Sequence, residues 1–178
     1  MSDAECRAVL LTGVYGSGKS TVAEELGSIF EERGLPYAAL DLDWLGWFDA
    51  GWDDDVREHA LMVRNLEAVV QNYLSAGVRY LVMALSVEHQ WELDGIRSVV
   101  PSPLKILRLT VGIDTIESRL GASPTTGRQV DLEWARRWID ASTGEGLEDI
   151  ALSNDRSPRE VALDVLQHLG WVAGRAAD

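Results

Sequence analysis

Cysteine is all but absent: Cys6 stands alone in the chain. A single thiol excludes an internal disulfide and leaves no cysteine cluster for zinc. Histidine offers no substitute, since His59, His89 and His168 are scattered. Positive charge is also scarce. Lys and Arg number 16 against 29 Asp and Glu, a net charge of −13, and that average field repels a polyanion such as DNA. Small substrates are therefore expected and a nucleic-acid partner is not. No stretch approaches the ~18 apolar residues of a membrane span. The start, "MSDAECRAVLL", has neither a basic leader nor a long apolar run, so the expected location is the cytoplasm. Repeats, linkers and low-complexity stretches are missing too, and 178 residues suit one domain over 1–178.

What is present alternates short apolar runs with helical stretches, the pattern of an α/β domain around a parallel sheet. "RAVLLT" reads as a buried strand. Val22, Leu26, Ile29 and Phe30 then form a stripe that predicts a helix from about Lys19 to Arg33. "YAALDLD", "RYLVMAL", "LKILRLTV" and "DIALSN" read as four further strands. A long helix is expected from about Val56 to Ser75, with Ala60, Val63, Leu66, Val70 and Leu74 facing inward. Ser157-Pro158-Arg159-Glu160 spells a capping box for the last helix, whose core face is Val161, Val165, Leu166 and Leu169.

Between the first strand and the first helix lies "GVYGSGKST", Gly13 to Thr21. A phosphate chain needs many donors close together, and a glycine-rich turn supplies them as backbone N–H groups. Gly13, Val14, Tyr15, Gly16, Ser17 and Gly18 are the expected cradle. Lys19 adds a positive charge for the β- and γ-phosphates, and Ser20 places its hydroxyl toward Mg²⁺ ahead of Thr21 in the first helical turn. Chance alone gives this G-x4-G-K-[ST] Walker A pattern in roughly one chain in a hundred of this length, and the strand before and helix after it lower that further.

The second strand runs into "LDLDWLGWF". Asp41 and Asp43 are two apart and share a side of an extended segment, with Asp43 near the loop and Asp41 slightly deeper. In a parallel sheet, ligands gather at the carboxyl ends of strands. Two carboxylates there can divide the work of holding Mg²⁺ and of orienting or deprotonating an attacking hydroxyl; the pattern alone leaves open which does which.

These features together, "GVYGSGKST" at the first strand–helix junction and "DLD" ending the second strand, resemble the P-loop small-molecule kinases. The gluconate, shikimate and adenylylsulfate kinase families of the nucleoside-monophosphate-kinase-like group are the nearest patterns. The order of elements agrees from Ala8 to Leu169. The resemblance implies a three-layer α/β P-loop NTPase fold with a five-stranded parallel sheet and a short lid over about 119–133. It implies ATP and Mg²⁺ as cofactors, with Asp41 near the metal and Asp43 at the acceptor hydroxyl. In "GIDTIESRLGASPTTGRQVDLEWARRW" it implies Arg119 over the adenine and Arg128 as a lid arginine on the phosphates. Gly121, Pro124 and Gly127 suggest a closing loop between them, while Arg136 and Arg137 read as an exposed helix face.

The chain also departs from that pattern. "RYLVMALSVEH" ends without a Walker B aspartate, so metal binding falls on Ser20 and the Asp41/Asp43 pair, with Ser86 as a weak helper. The glycine-rich acceptor motif of shikimate kinases is missing. Glu88 is a reserve candidate for acceptor binding or base. Arg57 is either a clamp for an anionic acceptor or an ion-pair partner of Asp53, Asp54 and Asp55. Trp44, Trp47 and Trp52 follow Asp43 directly, either as flat walls for the acceptor or as cover for the core; Trp91 and Trp171 read as packing. The expected activity is transfer of the γ-phosphate of ATP to a small-molecule hydroxyl or phosphate. A regulatory NTPase without an acceptor is the alternative, and a polynucleotide 5′-kinase would need a basic channel that this acidic chain does not show. Acceptor identity, ATP or GTP preference and oligomeric state stay open.

Overall fold

The structure, a computed structural model, describes residues 6–51, 53–100, 103–121 and 126–171, and the side chains of 121 and 126–129 lie outside that description. In chain order the elements are β1 (Arg7–Thr12), α1 (Lys19–Glu32), β2 (Tyr37–Asp41), α2 (Asp43–Gly46), α3 (Asp55–Ser75) and β3 (Tyr80–Ala84). There follow α4 (Gln90–Val99), β4 (Leu104–Thr110), α5 (Ile113–Gly121), α6 (Thr126–Asp140), β5 (Ile150–Ser153) and α7 (Pro158–His168). The five strands pair in the order β2-β3-β1-β4-β5, and every pairing is parallel.

β1 sits at the centre, and its middle, Ala8 to Leu11, is wholly apolar because both of its faces are covered. Ala8 and Leu10 pack with Met62, Leu66 and Val70 of α3 and with Leu93 and Ile96 of α4. Val9 and Leu11 point the other way, against Val22, Leu26, Ile29 and Phe30 of α1 and Val161, Val165 and Leu166 of α7. Phe30 is fully buried and stacks on Tyr80, with Trp171 beside both. Trp171 is thus the packing residue that its sequence suggested. The Ser157–Glu160 capping box also forms, with Ser157 N–H donating to Glu160 Oε2 at 3.0 Å.

A smaller third cluster of Val14, Ile116, Leu120, Ala135 and Trp138 ties α5 and α6 to the loop after β1. Much of the segment expected as a lid, about 119–133, lies in α5 and α6, and 122–125 between them lie outside the described residues. Gly127 lies within α6, and Pro124 lies outside the described residues. One element is new, and two expectations are corrected. A helix not foreseen, α4, fills the space between β3 and β4. Ala60 is exposed, and Met62 takes the inward position, giving α3 a Met62–Leu66–Val70 stripe at four-residue spacing. The second strand stops at Asp41, so Asp43 opens α2 and is not on extended backbone. No helix among the described residues is long and apolar enough to cross a membrane.

Candidate active site

Residues 13 to 18 turn the chain from β1 into α1 at the carboxyl edge of the sheet. Two glycines make the turn possible. Gly13 has φ +136°, and a Cβ there would lie 2.5 Å from the Leu109 carbonyl oxygen of β4. Gly18 has φ +92°, and a Cβ there would collide with the Asn154 amide. No side chain fits either place. The first hydrogen bond of α1 joins Val22 N–H to Gly18 O, so the amides of residues 19–21 precede the helical ladder and lie at its positive end. Gly16, Gly18, Lys19, Ser20 and Thr21 all line a cleft of about 1430 Å³. Ser17 is fully buried, and its Oγ has no hydrogen-bond partner among the described residues.

Lys19 is 7% exposed. Its Nζ donates to Gly13 O at 3.0 Å and Val14 O at 3.2 Å, and it stands 5.3 Å from the centre of the Tyr15 ring. Burial lowers its pKa to about 8, against a smaller upward pull from Asp43 and Asp41. Tyr15 sits edge-on to Trp134 of α6 at 5.4 Å, and burial with the carboxylates of Asp43, Asp131, Asp41 and Glu88 pushes its phenol to about 12. Tyr15 therefore stays protonated and faces an acidic space.

The two aspartates meet through a turn, not through strand alternation. Asp41 Oδ1 accepts the Asp43 N–H at 3.1 Å, the local bond by which an aspartate bends its own backbone. Leu42 N–H meanwhile closes on Ala84 O at 2.9 Å, and β2 ends there. Asp41 Oδ2 accepts the Ser20 hydroxyl at 2.6 Å. Asp43 lies next to this pair, its carboxyl held above the ordinary range by burial first and by Asp41 second, with Lys19 pulling the other way. A hydroxyl and a carboxylate beside a phosphate loop are hard oxygen donors suited to Mg²⁺. Among the described residues no group of three or more His, Cys, Asp and Glu could hold a metal ion, so such an ion would take its remaining ligands from phosphate and water.

The other expected residues divide. Ser86 donates to Gly13 O at 3.0 Å and braces the loop. Arg119 reaches from the end of α5 to Gly16 O, Ser17 O and Asn154 O at 3.2, 3.3 and 3.0 Å. It lines the cleft while clasping the back of the loop. Glu88 and Trp47 also line the cleft. Trp44 and Trp47 are 69% and 75% exposed with ring centres 4.9 Å apart, which removes the reading of these two as cover for the core. Arg57 is exposed on the first turn of α3, where its backbone N–H meets the capping Asp54, and it is not among the residues that line the cleft. Arg136 and Arg137 lie on the exposed helix face their position suggested, and Arg136 pairs there with Glu117 at 2.6 Å. Arg128 begins α6, but its side chain lies outside the described residues, as does Trp52.

Several residues of the cleft escaped the sequence reading. Asn154 is 3% exposed, and its Nδ2 donates to Ser17 O at 2.5 Å from the loop after β5. The fragment "SND" carried no periodic or motif signal for that contact. Asp131 reaches the cleft from α6, one turn before Trp134. Trp91, expected as packing, is 39% exposed; it lines the cleft and meets His59 at 4.9 Å.

No protein-family model and no curated protein matches the chain. Solved structures do. A sugar kinase from Janibacter sp. HTCC2649, solved without ligand, superposes with a TM-score of 0.69 at 22% identity, covering 94% of this chain and 96% of that one. The adenylylsulfate (APS) kinase of Mycobacterium tuberculosis, in complex with AMPPNP and APS, gives a TM-score of 0.59 at 20% identity, covering 93% and 98%. A gluconokinase from Sinorhizobium meliloti 1021 gives 0.57 at 21% identity, covering 94% and 93%. The all-parallel sheet, the glycine loop after its central strand and these superpositions agree: the chain has the fold of the P-loop small-molecule kinases.

Proposed function

We propose that this chain is a phosphotransferase that moves the γ-phosphoryl group of Mg·ATP onto the hydroxyl of a small molecule. The observation that carries the reading is the meeting, in one cleft, of a phosphate-type loop bearing Lys19 with the Ser20–Asp41 pair and the raised carboxyl of Asp43. The kinases that share the fold support it; one of them was solved holding AMPPNP together with APS.

The loop amides and Lys19 bind and orient the triphosphate, and Lys19 offsets charge that gathers on the transferred group. Arg119, already beside the loop, is the candidate for the base of the nucleotide, and Arg128 for the lid contact to the phosphates. Ser20 and Asp41 would hold Mg²⁺, which when bound neutralises phosphate charge and fixes the geometry of the chain. Asp43 accepts the proton of the acceptor hydroxyl as its oxygen bonds to the γ-phosphorus. The bond from that phosphorus to the bridging oxygen breaks, and its electron pair leaves with ADP. A nucleotide switch would have no use for the second half of the cleft, walled by α3 and the turn after β3.

The test is acceptor-dependent ADP formation by the purified protein with Mg·ATP. Turnover should fall by roughly 10²-fold or more in Lys19→Ala and Asp43→Asn; wild-type turnover in both would refute the assignment.

A further inference from the structure

We propose that the acceptor is a hydroxyl compound bearing a protonated amine, held by carboxylates of α3 and of the turn after β3 in a cleft that Trp47 also lines. This rests on the phosphotransferase reading above and narrows its substrate class. The site itself is given by the cleft and its phosphate loop, and the acids decide which charge that site admits.

The Lys and Arg side chains of the cleft are at one end of it. Among the described residues, Lys19 and Arg119 are the Lys and Arg that line it, and both are bonded to carbonyls of the loop and its neighbour Asn154. Beyond Asp43 the lining is mainly acidic and aromatic, with His59, His89, Met62 and Leu85 among it. Asp55 and Glu58 come from the first turn of α3, Glu88 from the turn after β3, and Trp47 and Trp91 stand beside them. These elements meet: His59 touches the Trp91 ring at 4.9 Å, and its Nε2 lies 3.1 Å from Glu92 O.

The local electrostatics agree with that lining. Burial raises the Glu88 carboxyl, Glu92 and Asp55 raise it further, and His89 opposes them. Burial likewise lowers the pKa of His59, so its ring adds little positive charge near neutral pH. A carboxylate, sulfate or phosphate on the acceptor would enter this half against like charge, with the nucleotide phosphates adding to the repulsion. An ammonium gains twice, from the carboxylates and from the exposed indole of Trp47, while Trp91 stacks with His89 at 6.2 Å and meets His59.

The test compares acceptors matched in skeleton and differing in charge: glucosamine with N-acetylglucosamine and gluconate, and phenylethanolamine with mandelate. ADP release with Mg·ATP should be stimulated by the aminated member of each set, with kcat/KM roughly tenfold or more above its partners. The double variant Asp55→Asn, Glu88→Gln should raise KM for the aminated acceptor by about the same factor, measured against KM for the nucleotide. Equal or better phosphorylation of the anionic partners, or an amine preference that survives the double variant, would overturn the charge assignment and leave the kinase reading standing. No acceptor-stimulated ADP release across the panel, with nucleotide binding intact, would overturn the phosphotransferase reading and this proposal with it.

Discussion

The Ser20 hydroxyl and the Asp41 carboxylate are joined across 2.6 Å, a bond that links the first turn of α1 to the end of β2. It puts a metal-suited pair where a Walker B aspartate is missing from β3. Asp41→Asn should therefore weaken nucleotide binding chiefly when Mg²⁺ is present. Losing one charged partner of this kind is worth about 1.5–3 kcal/mol, roughly 10- to 100-fold in affinity. Titration with and without EDTA checks it, and an equal loss in both conditions would count against a metal role.

Lys19 supplies a pH signature. Its pKa is about 8 in the fold against 10.5 for an ordinary lysine. Below about 8 both the folded and unfolded chains carry the proton, and the cost of burying the charge is present in full. Between about 8 and 10.5 only the unfolded chain holds it, so this residue makes stability rise with pH across that window. Denaturant titrations of wild type and Lys19→Met at several pH values should differ by that slope. A bound polyphosphate restores the charge, so nucleotide binding at pH above 8 should take up a proton and weaken as pH climbs. Calorimetry in two buffers of different ionisation enthalpy reads the uptake.

Asp43 should govern the acid limb of turnover. Its carboxyl is held above the ordinary 3.8 by burial and by Asp41, so activity falls with acid earlier than it would for an exposed aspartate. Asp43→Asn should lower kcat by roughly 10²- to 10⁴-fold, remove that limb and leave nucleotide binding close to wild type. Steady-state kinetics across pH provides the comparison.

Asn154 lines the cleft, and its amide braces the loop by donating to Ser17 O. Asn154→Ala leaves that carbonyl without one of its donors and opens space beside Gly18. It should reduce stability by about 1–3 kcal/mol and loosen nucleotide binding as well. Thermal melts with and without nucleotide separate the two effects; unchanged binding would show the brace to be structural only.

Much of this was legible in the sequence because the interactions are local. The loop between "RAVLLT" and the Val22–Leu26–Phe30 stripe follows from contiguous residues, as does the Ser157–Glu160 cap. The "DLD" pair was found for a reason only half right: the residues are close, but a side-chain-to-backbone bond bends the chain between them where strand alternation was expected. Asn154, Asp131 and Trp91 were missed because each meets the cleft from a distant element. Asn154 is 137 positions from the serine it holds, and no period or motif encodes such a separation. The bond from Ser86 to the loop was not foreseen for a similar reason, its hydroxyl donating to a carbonyl 73 positions earlier.

Trp134 rests edge-on against Tyr15 and packs on Trp138 at 4.8 Å, so an indole on α6 touches the same ring that lies over the Lys19 ammonium. The protein thereby carries its own optical gauge. Any shift of that helix relative to the glycine turn changes the surroundings of an intrinsic fluorophore, and stopped-flow emission can follow the cleft without an attached dye.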